Sequence, residues 1–370
     1  MPYKENMMTE IAIERAEEYD ASIIKEKLLY MFSLTSFPDV RGKSVLVKPN
    51  ILSDAPKEKA ITTHPEVLRA LLKILREKGA KKVYVGDSPG IQGPAFNAKV
   101  SGIRDAVEKS GAEFVDFTKS SRTHSVYKNI SIPMAKVLDE ADVVISVAKF
   151  KTHQLMMQTG AVKNMFGLVP SLNKSPLHLK CPSVEEFSRL IVSIFKESHT
   201  DYAIIDGIIA MEGAGPANGT PRKVGLLISS RDAFAADYAM SCIMGYQKTD
   251  MPIFLEGEKE GLTDFKSYTY PALNPNNLVI RDFKRIESGK KSLFSALILP
   301  FFTRFLKVRK AKKRNAPLFQ DNCVKCRRCI EICPAKALTM GESHPLIDEN
   351  ACIRCYCCHE MCPVNAIKVL

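Results

Sequence analysis

Residues 143 to 170 read VVISVAKFKTHQLMMQTGAVKNMFGLVP, a strand-like run of Val143, Val144, Ile145 and Val147 that passes into Lys149, Lys151, His153, Lys163 and Asn164. Ammonium groups and an imidazole so close together could hold a carboxylate or phosphate and exchange protons with it. Comparable residues close other strand-like runs: Lys48 and Asn50 in VLVKPNI, Asp87 and Ser88 in VGDSPG. Thr62, Thr63 and His64 stand before a helical pattern, where free backbone N–H groups and the dipole favour an anion. Asp87, Asp206 and Glu212 could take protons or bind a metal, and His178 could add an imidazole. Taken singly, each has a plainer reading as a helix cap, a turn former or a solvated strand end. Together they read as a site, with Lys149, Lys151, His153 and Lys163 as catalytic candidates. Lys48, Asn50, Thr63, His64, Asp87, Ser88, Asn164 and Glu212 are then its binding residues. In an extended segment Lys149, Lys151 and His153 face one side and Ala148, Phe150 and Thr152 the other. Lysines are costly to bury unpaired, so Phe150 is expected to anchor in the core while the cations open into a cleft shared with Lys48, Asn50, His64, Asp87, Lys163 and Asn164.

The cysteines point to different chemistry. Of eleven, only Cys181 and Cys242 precede residue 320. Cys323, Cys326, Cys329 and Cys333 before Pro334 repeat, with identical spacing, as Cys352, Cys355, Cys358 and Cys362 before Pro363. Three thiolates two residues apart can wrap one face of an iron–sulfur cube, whereas zinc sites take four ligands as two pairs. The doubled run resembles that of bacterial two-cluster ferredoxins, in which the fourth cysteine of each run ligates the other cluster. That resemblance implies two 4Fe-4S clusters, one on Cys323, Cys326, Cys329 and Cys362, the other on Cys352, Cys355, Cys358 and Cys333. Cys357 falls outside the pattern.

These residues need elements to position them. At 370 residues the chain exceeds one typical core, and no stretch has the roughly 18 continuous apolar residues of a membrane span. Strand and helix patterns alternate: KSVLVKPNI, then HPEVLRALLKILREKGA closed by Gly79, then KKVYVGDSPG, AKVSGIRDAVEKSGA and EFVDF. Later come ADVVISVAKF, SVEEFSRLIVSIFKESH, DYAIIDGII, KVGLLISS and DAFAADYAMSCIMG. Such an order implies an α/β fold, a mostly parallel doubly wound sheet, whose ligands bind beyond the carboxyl ends of the strands. Neither a dinucleotide-binding glycine fingerprint nor a phosphate-binding P-loop is present. The expected organisation is an α/β domain over 1–290, a linker over 291–316 and a small α+β ferredoxin-like domain over 317–370. GAGPANGTP, with Gly213, Gly215 and Gly219, reads as a mobile loop over the site.

Charge is concentrated in one place. The chain carries +12, and Arg281 to Arg314 holds twelve Lys and Arg against Asp282 and Glu287. The apolar run Leu293 to Leu306 followed by a basic cluster suits an anionic membrane surface across 291–314, an acidic partner, or a tether packed by its apolar half. Nucleic acid is disfavoured because no stacking or groove-reading motif accompanies the charge. The first twenty residues show no secretory pattern, so the expected location is cytoplasmic, with a peripheral membrane position open.

Together VLVKPNI, TTHPEV, GDSPG, AKFKTH, AVKNMFGLVP and DGIIAMEGAGPANGTPRKVGLLISS resemble the family catalogued as domain of unknown function 362. That resemblance implies an α/β domain fused to a two-cluster ferredoxin, with polar motifs falling here on Lys48, Asn50, His64, Asp87, Lys149, Lys151, His153, Lys163, Asn164, Asp206, Glu212 and Gly213. The favoured function is an iron–sulfur oxidoreductase in which clusters pass electrons to an anionic small molecule on the α/β rim. A second reading is an electron-transfer or assembly protein that binds a redox partner without turnover. A third is a non-redox isomerase or metal-binding domain with a ferredoxin appendage. A closed pocket beside one cluster would favour the first, an exposed flat face the second, and a His and carboxylate cluster at ligand distance the third.

Overall fold

The structure is a computed structural model that describes residues 8–90, 98–128, 130–286 and 314–369. Residues 291–313 of the expected linker, with the apolar run and most of the basic cluster, lie outside the described residues. In chain order the first unit contains β1 (Thr9–Arg15), α1 (Ala21–Leu34), β2 (Ser44–Pro49), α2 (Pro65–Glu77), β3 (Lys82–Asp87), α3 (Ile103–Ser110) and β4 (Glu113–Asp116). A hairpin of β5 (Ser121–Tyr127) and β6 (Ile130–Ala135) precedes β7 (Val143–His153), β8 (Met157–Gln158), α4 (Gly160–Asn164), α5 (Ser171–Lys180) and α6 (Val184–Glu197). Then come β9 (Tyr202–Glu212), β10 (Thr220–Ser230), α7 (Ala233–Ile243), α8 (Pro252–Lys259) and β11 (Tyr268–Thr269).

One sheet runs through this unit in the order β11-β1-β10-β9-β7-β2-β3-β4, with β8 paired to the end of β7. Strands β9, β7, β2, β3 and β4 are parallel. The chain moves outward from β2 to β3 and β4, then returns to the other side of β2 as β7. That reversal puts a crevice at the carboxyl ends of β2 and β7, where open α/β sheets bind ligands. β10 is antiparallel to both β9 and β1, because the short loop after Glu212 cannot make the crossover a parallel neighbour needs.

Pleating assigns alternate residues to two cores. Val45, Val47, Val143, Ile145 and Val147 pack with α1, α2 and α3, while Leu46, Val144, Ala148 and Phe150 pack with the layer of α6, α7 and α8. Phe150 is fully buried, edge-on to Phe283.

The C-terminal unit is small: β12 (Leu318–Phe319), α9 (Arg328–Ile332), β13 (Leu338–Met340), β14 (Pro345–Ile347), α10 (Cys357–Met361) and β15 (Ile367–Lys368). β12 pairs with β15, and β13 with β14. It is a ferredoxin-type α+β fold seated on the carboxyl rim of the sheet. The loop after β9 joins the units: His359 Nε2 lies 3.2 Å from the Ala214 carbonyl, and Asn218 Nδ2 donates to the His359 carbonyl at 2.7 Å.

Candidate functional site

The rim of β2 and β3 forms a buried polar knot. Lys48 Nζ sits 2.7 Å from Asp87 Oδ1 and donates to Asn164 Oδ1 and the Pro49 carbonyl. Asp87 Oδ2 accepts the Ile51 N–H, and Asn50 Nδ2 donates to Asn164 Oδ1. Burial pulls the Lys48 pKa down, and Asp87 opposes that pull. Asn164 also donates to the Lys48 carbonyl and to Ser146 Oγ, which ties α4 to β2 and β7. Buried Asp237 holds the start of α4 by accepting the Ala161 and Val162 N–H groups. Burial pushes that carboxyl up to about 7. Gly167 lies so close over Lys48 and Asp87 that a Cβ there would overlap both charged groups.

Lys149 belongs to a different knot. Its Nζ donates to Asp206 Oδ2 at 2.8 Å and to Tyr19 Oη at 2.9 Å, and Tyr19 Oη donates to Asp206 Oδ1. The Tyr19 ring stacks on His64 at 3.5 Å, and the His64 N–H donates to Asp206 Oδ2. The anion expected at the start of α2 is thus the chain's own Asp206 carboxylate. The expected single cleft is therefore divided. Lys48 follows the Leu46 face of the sheet and Lys149 the Val147 face, so their side chains leave the sheet on opposite sides. Lys151 is fully buried and, among the described residues, donates only to the Ile61 carbonyl; burial lowers its pKa far below the usual lysine range. Thr63 Oγ1 bridges the Asn50 N–H and the Val147 carbonyl, and Ser88 Oγ meets Ser171 Oγ. Glu212 ends β9 but is not among the residues lining the cavity described below; it accepts the Lys284 N–H and faces Arg222.

Between the sheet rim and the C-terminal unit lies a cavity of about 100 Å³. Asn50, Asp87, Ser88, Lys163 and Asn164 line it from below, Lys174 and His178 from α5, and Ile332, Cys357, Glu360 and Met361 from the C-terminal unit. That volume holds several waters or one small organic ion. His153 Nε2 is 3.2 Å from Glu360 Oε1, while its Nδ1 accepts the Leu155 and Met156 N–H groups. Those two donors place the imidazole proton on Nε2, aimed at Glu360. Burial holds His153 at about 4 and His178 at about 3. Burial alone would raise the Glu360 carboxyl, but His153, Lys163 and His178 hold it at about 2. Burial lowers the Lys163 pKa, and its ammonium makes no hydrogen bond among the described residues. Lys174 donates to the Ser88 carbonyl, and burial brings it to about 7, close to the point where it gives and takes protons freely. Phe166 and Phe187 form an apolar wall, with His178 stacked on Phe187 at 4.1 Å.

The cysteines converge as two quartets. One cavity is lined by Cys323, Cys326, Cys329 and Cys362, the other by Cys333, Cys352, Cys355 and Cys358. The two runs fold alike: left-handed residues fall at matched positions, Lys325 with Arg354, Arg327 with Tyr356, and Lys336 with Asn365. Backbone N–H groups of Ala337 and Ala366 donate to Cys333 Sγ and Cys362 Sγ, as ligating thiolates require. Among the described residues no three His, Cys, Asp or Glu side chains close on one point as ligands of a single ion would. The quartets surround volumes instead, which suits a cluster. Cys357, outside the quartets, lines the rim cavity next in the chain to Cys358 of the second quartet.

The glycine loop is clamped, contrary to the mobile lid expected. Gln154 donates to the Gly215 carbonyl and Thr152 to the Gly213 carbonyl, and a Cβ at Gly215 would overlap the Thr152 backbone. Sequence reasoning missed Tyr19, Lys174 and Asp237, which carry no motif. It also missed Glu360, although an acid between two cysteine ligands was visible in the second run.

The family described as "Domain of unknown function (DUF362)" matches residues 45–241, and a 4Fe-4S dicluster domain matches residues 322–366. The thylakoid-associated protein sll1697 of Synechocystis sp. is 29% identical over 313 residues, covering 81% of this chain and 97% of that protein. Among solved structures, lactate racemase apoprotein from Thermoanaerobacterium thermosaccharolyticum overlaps 62% of this chain and 56% of its own, at 14% identity and a TM-score of 0.40. A protein from Thermotoga maritima overlaps 62% of this chain and 60% of its own, at 15% identity and a TM-score of 0.38. The chain thus spans between half and two thirds of each of these structures.

Proposed function

The chain belongs to the DUF362 family and carries a 4Fe-4S dicluster domain, and from that premise we propose that it is an iron–sulfur oxidoreductase acting on a small anion in the rim cavity. The observation that carries this reading is the composition of the cavity wall, which joins Lys163 and Lys174 of the α/β unit to Cys357 and Glu360 of α10. Two 4Fe-4S clusters would be held by Cys323, Cys326, Cys329 and Cys362, and by Cys333, Cys352, Cys355 and Cys358; when bound they supply electrons singly. The Lys163 ammonium, which makes no hydrogen bond among the described residues, attracts the anion, and Lys174, near neutral pKa, supplies or accepts a proton. His153 holds a proton on Nε2 against Glu360 and keeps that carboxylate directed at the cavity. Phe166 and Phe187 keep bulk water from the apolar side. A concave pocket beside a cysteine quartet favours this reading over a binding domain without turnover.

Anaerobically purified, chemically reduced and desalted protein should be reoxidised by one class within a panel of small carboxylates and phosphate esters, followed by cluster absorbance. Lys163→Ala should slow that reoxidation roughly 10²-fold, the scale of a lost charge contact at a reacting centre. Failure of every anion to bind or reoxidise the protein would overturn the proposal.

Residues 291–314 we read as an attachment to an anionic membrane surface. Their adjacent apolar and basic residues support this, as does a relative named for thylakoid association. Among the described residues no helix is long and apolar enough to cross a membrane. Salt-reversible binding to anionic vesicles tests the attachment.

A further inference from the structure

The two cysteine quartets have different surroundings. The quartet of Cys333, Cys352, Cys355 and Cys358 adjoins the rim cavity, because Ile332 and Cys357, chain neighbours of Cys333 and Cys358, stand in that cavity's wall. The other quartet faces outward. Cys326 is exposed, and Val324, which lines the same cavity, is 59% exposed. Around them Lys325, Arg327 and Arg328 are all exposed, and among the described residues none of the three has an acidic partner. The loop from Val324 to Arg328 therefore sets three uncompensated cations about an apolar point directly over one cluster position. Lys325 and Arg327 hold positive φ angles of 52° and 63°, as Arg354 and Tyr356 do at the matched positions of the other run, so the loop's shape belongs to the cysteine motif and what sets this copy apart is its exposed charge. Non-glycine residues rarely adopt that conformation unless the surroundings impose it.

From this geometry we infer that the Val324–Arg328 loop is the electron-entry face of the molecule, and that its partner is an acidic one-electron carrier protein. The inference rests on the proposed delivery of electrons to the rim cavity. An apolar contact at Val324 would bring the carrier's cofactor close to the quartet of Cys323, Cys326, Cys329 and Cys362. A basic rim would steer a negatively charged surface onto it. The step transfers one electron: the carrier's cofactor is oxidised by one electron, the cluster is reduced by one, and no bond forms to either. With a flavin carrier, the anionic hydroquinone loses one electron and becomes the neutral semiquinone, which keeps the N5 proton it already carries.

The test uses the full, anaerobically reconstituted chain, mixed rapidly with an acidic flavodoxin in its hydroquinone form as probe. Semiquinone formation and cluster bleaching are read, so substrate turnover is not involved and failure of the oxidoreductase proposal would leave this result readable. The wild-type rate should fall steeply with added salt. The triple variant Lys325→Glu, Arg327→Glu, Arg328→Glu should react roughly tenfold or more slowly and lose most of the salt dependence, since steering raises on-rates by that order. Reduction by a small photoreduced deazaflavin should be unchanged in the same variant, and its iron content should match wild type. If iron is lost, the corresponding triple glutamine variant takes its place, with a smaller loss expected. An unchanged flavodoxin rate and salt slope in an iron-replete variant would overturn the inference. So would salt-reversible binding of this loop to anionic vesicles without any effect on flavodoxin.

Discussion

At the scale of single residues, the site depends on charges that are buried and paired. Lys48 and Asp87 meet at 2.7 Å with almost no solvent access, so removing one partner strands the other. Asp87→Asn should cost about 3–5 kcal/mol in denaturant unfolding, whereas the double change Lys48→Met, Asp87→Leu should recover most of it. A double variant no more stable than the single one would show that the pair supplies more than mutual neutralisation. Histidines set a pH window. Burial pushes His64 to about 4 and His178 to about 3, from an ordinary 6.5. Between 6.5 and those values the unfolded chain holds protons that the fold does not, so stability is full above pH 6.5 and falls as pH drops through the window. His64→Asn keeps a helix cap and should flatten that slope, measured as the wild-type-minus-variant difference in unfolding free energy against pH. The residue types at this site were legible in the sequence: Lys48, Asn50, Asp87, Lys163 and Asn164 do gather at one rim. What was not legible is the face each takes, because the relative phase of two strands is set by their register, Lys48 beside Ser146, and not by either strand alone.

At the scale of elements, the cysteine runs and the parallel strands could be read from spacing and periodicity. The antiparallel partners could not. β1 is followed by a helix, α1, yet it lies beside β10 and not beside β2, and β10 reads as another parallel strand until the shortness of the loop after Glu212 is weighed. That loop was also misjudged, since glycine content suggests motion when no neighbour is known. Its glycines serve close approach: at Gly215 the Thr152 backbone leaves no room for a Cβ. Gly215→Ala should therefore cost about 1–3 kcal/mol by overpacking and displace Ala214 and Asn218 from His359. Faster hydrogen exchange across 213–219 and 357–361, with α1 to α3 unchanged, is the expected outcome. Uniform protection in the variant would mean that the loop does not hold the two units together.

At the scale of the whole molecule, the two units differ in what stabilises them. The α/β unit has a core on each face of its sheet, large enough to stand without a cofactor. The C-terminal unit has a central cluster of only Cys329, Leu338, Cys358 and Ile367, with Cys333 and Cys362 packed against it. Four of the nine residues in and around that cluster are thus cysteine, the others being Leu338, Ile367, Phe319, Ile330 and Ile347, and a chain segment this short does not bury enough apolar surface to fold unaided. Cluster binding must supply the missing free energy, as structural metals do in small domains. Removing iron with a chelator under oxidising conditions should therefore abolish protection from proteolysis across 314–369 while the strands of the large sheet stay protected. Because α10 closes the rim cavity, the same treatment should open it, exposing Lys163 and Lys174 to amine-labelling reagents that reach them slowly in the iron-replete protein. Mass spectrometry of the labelled peptides distinguishes the outcomes. Equal labelling before and after iron removal would mean that the C-terminal unit keeps its place without clusters and that the cysteine quartets contribute nothing to closing the cavity.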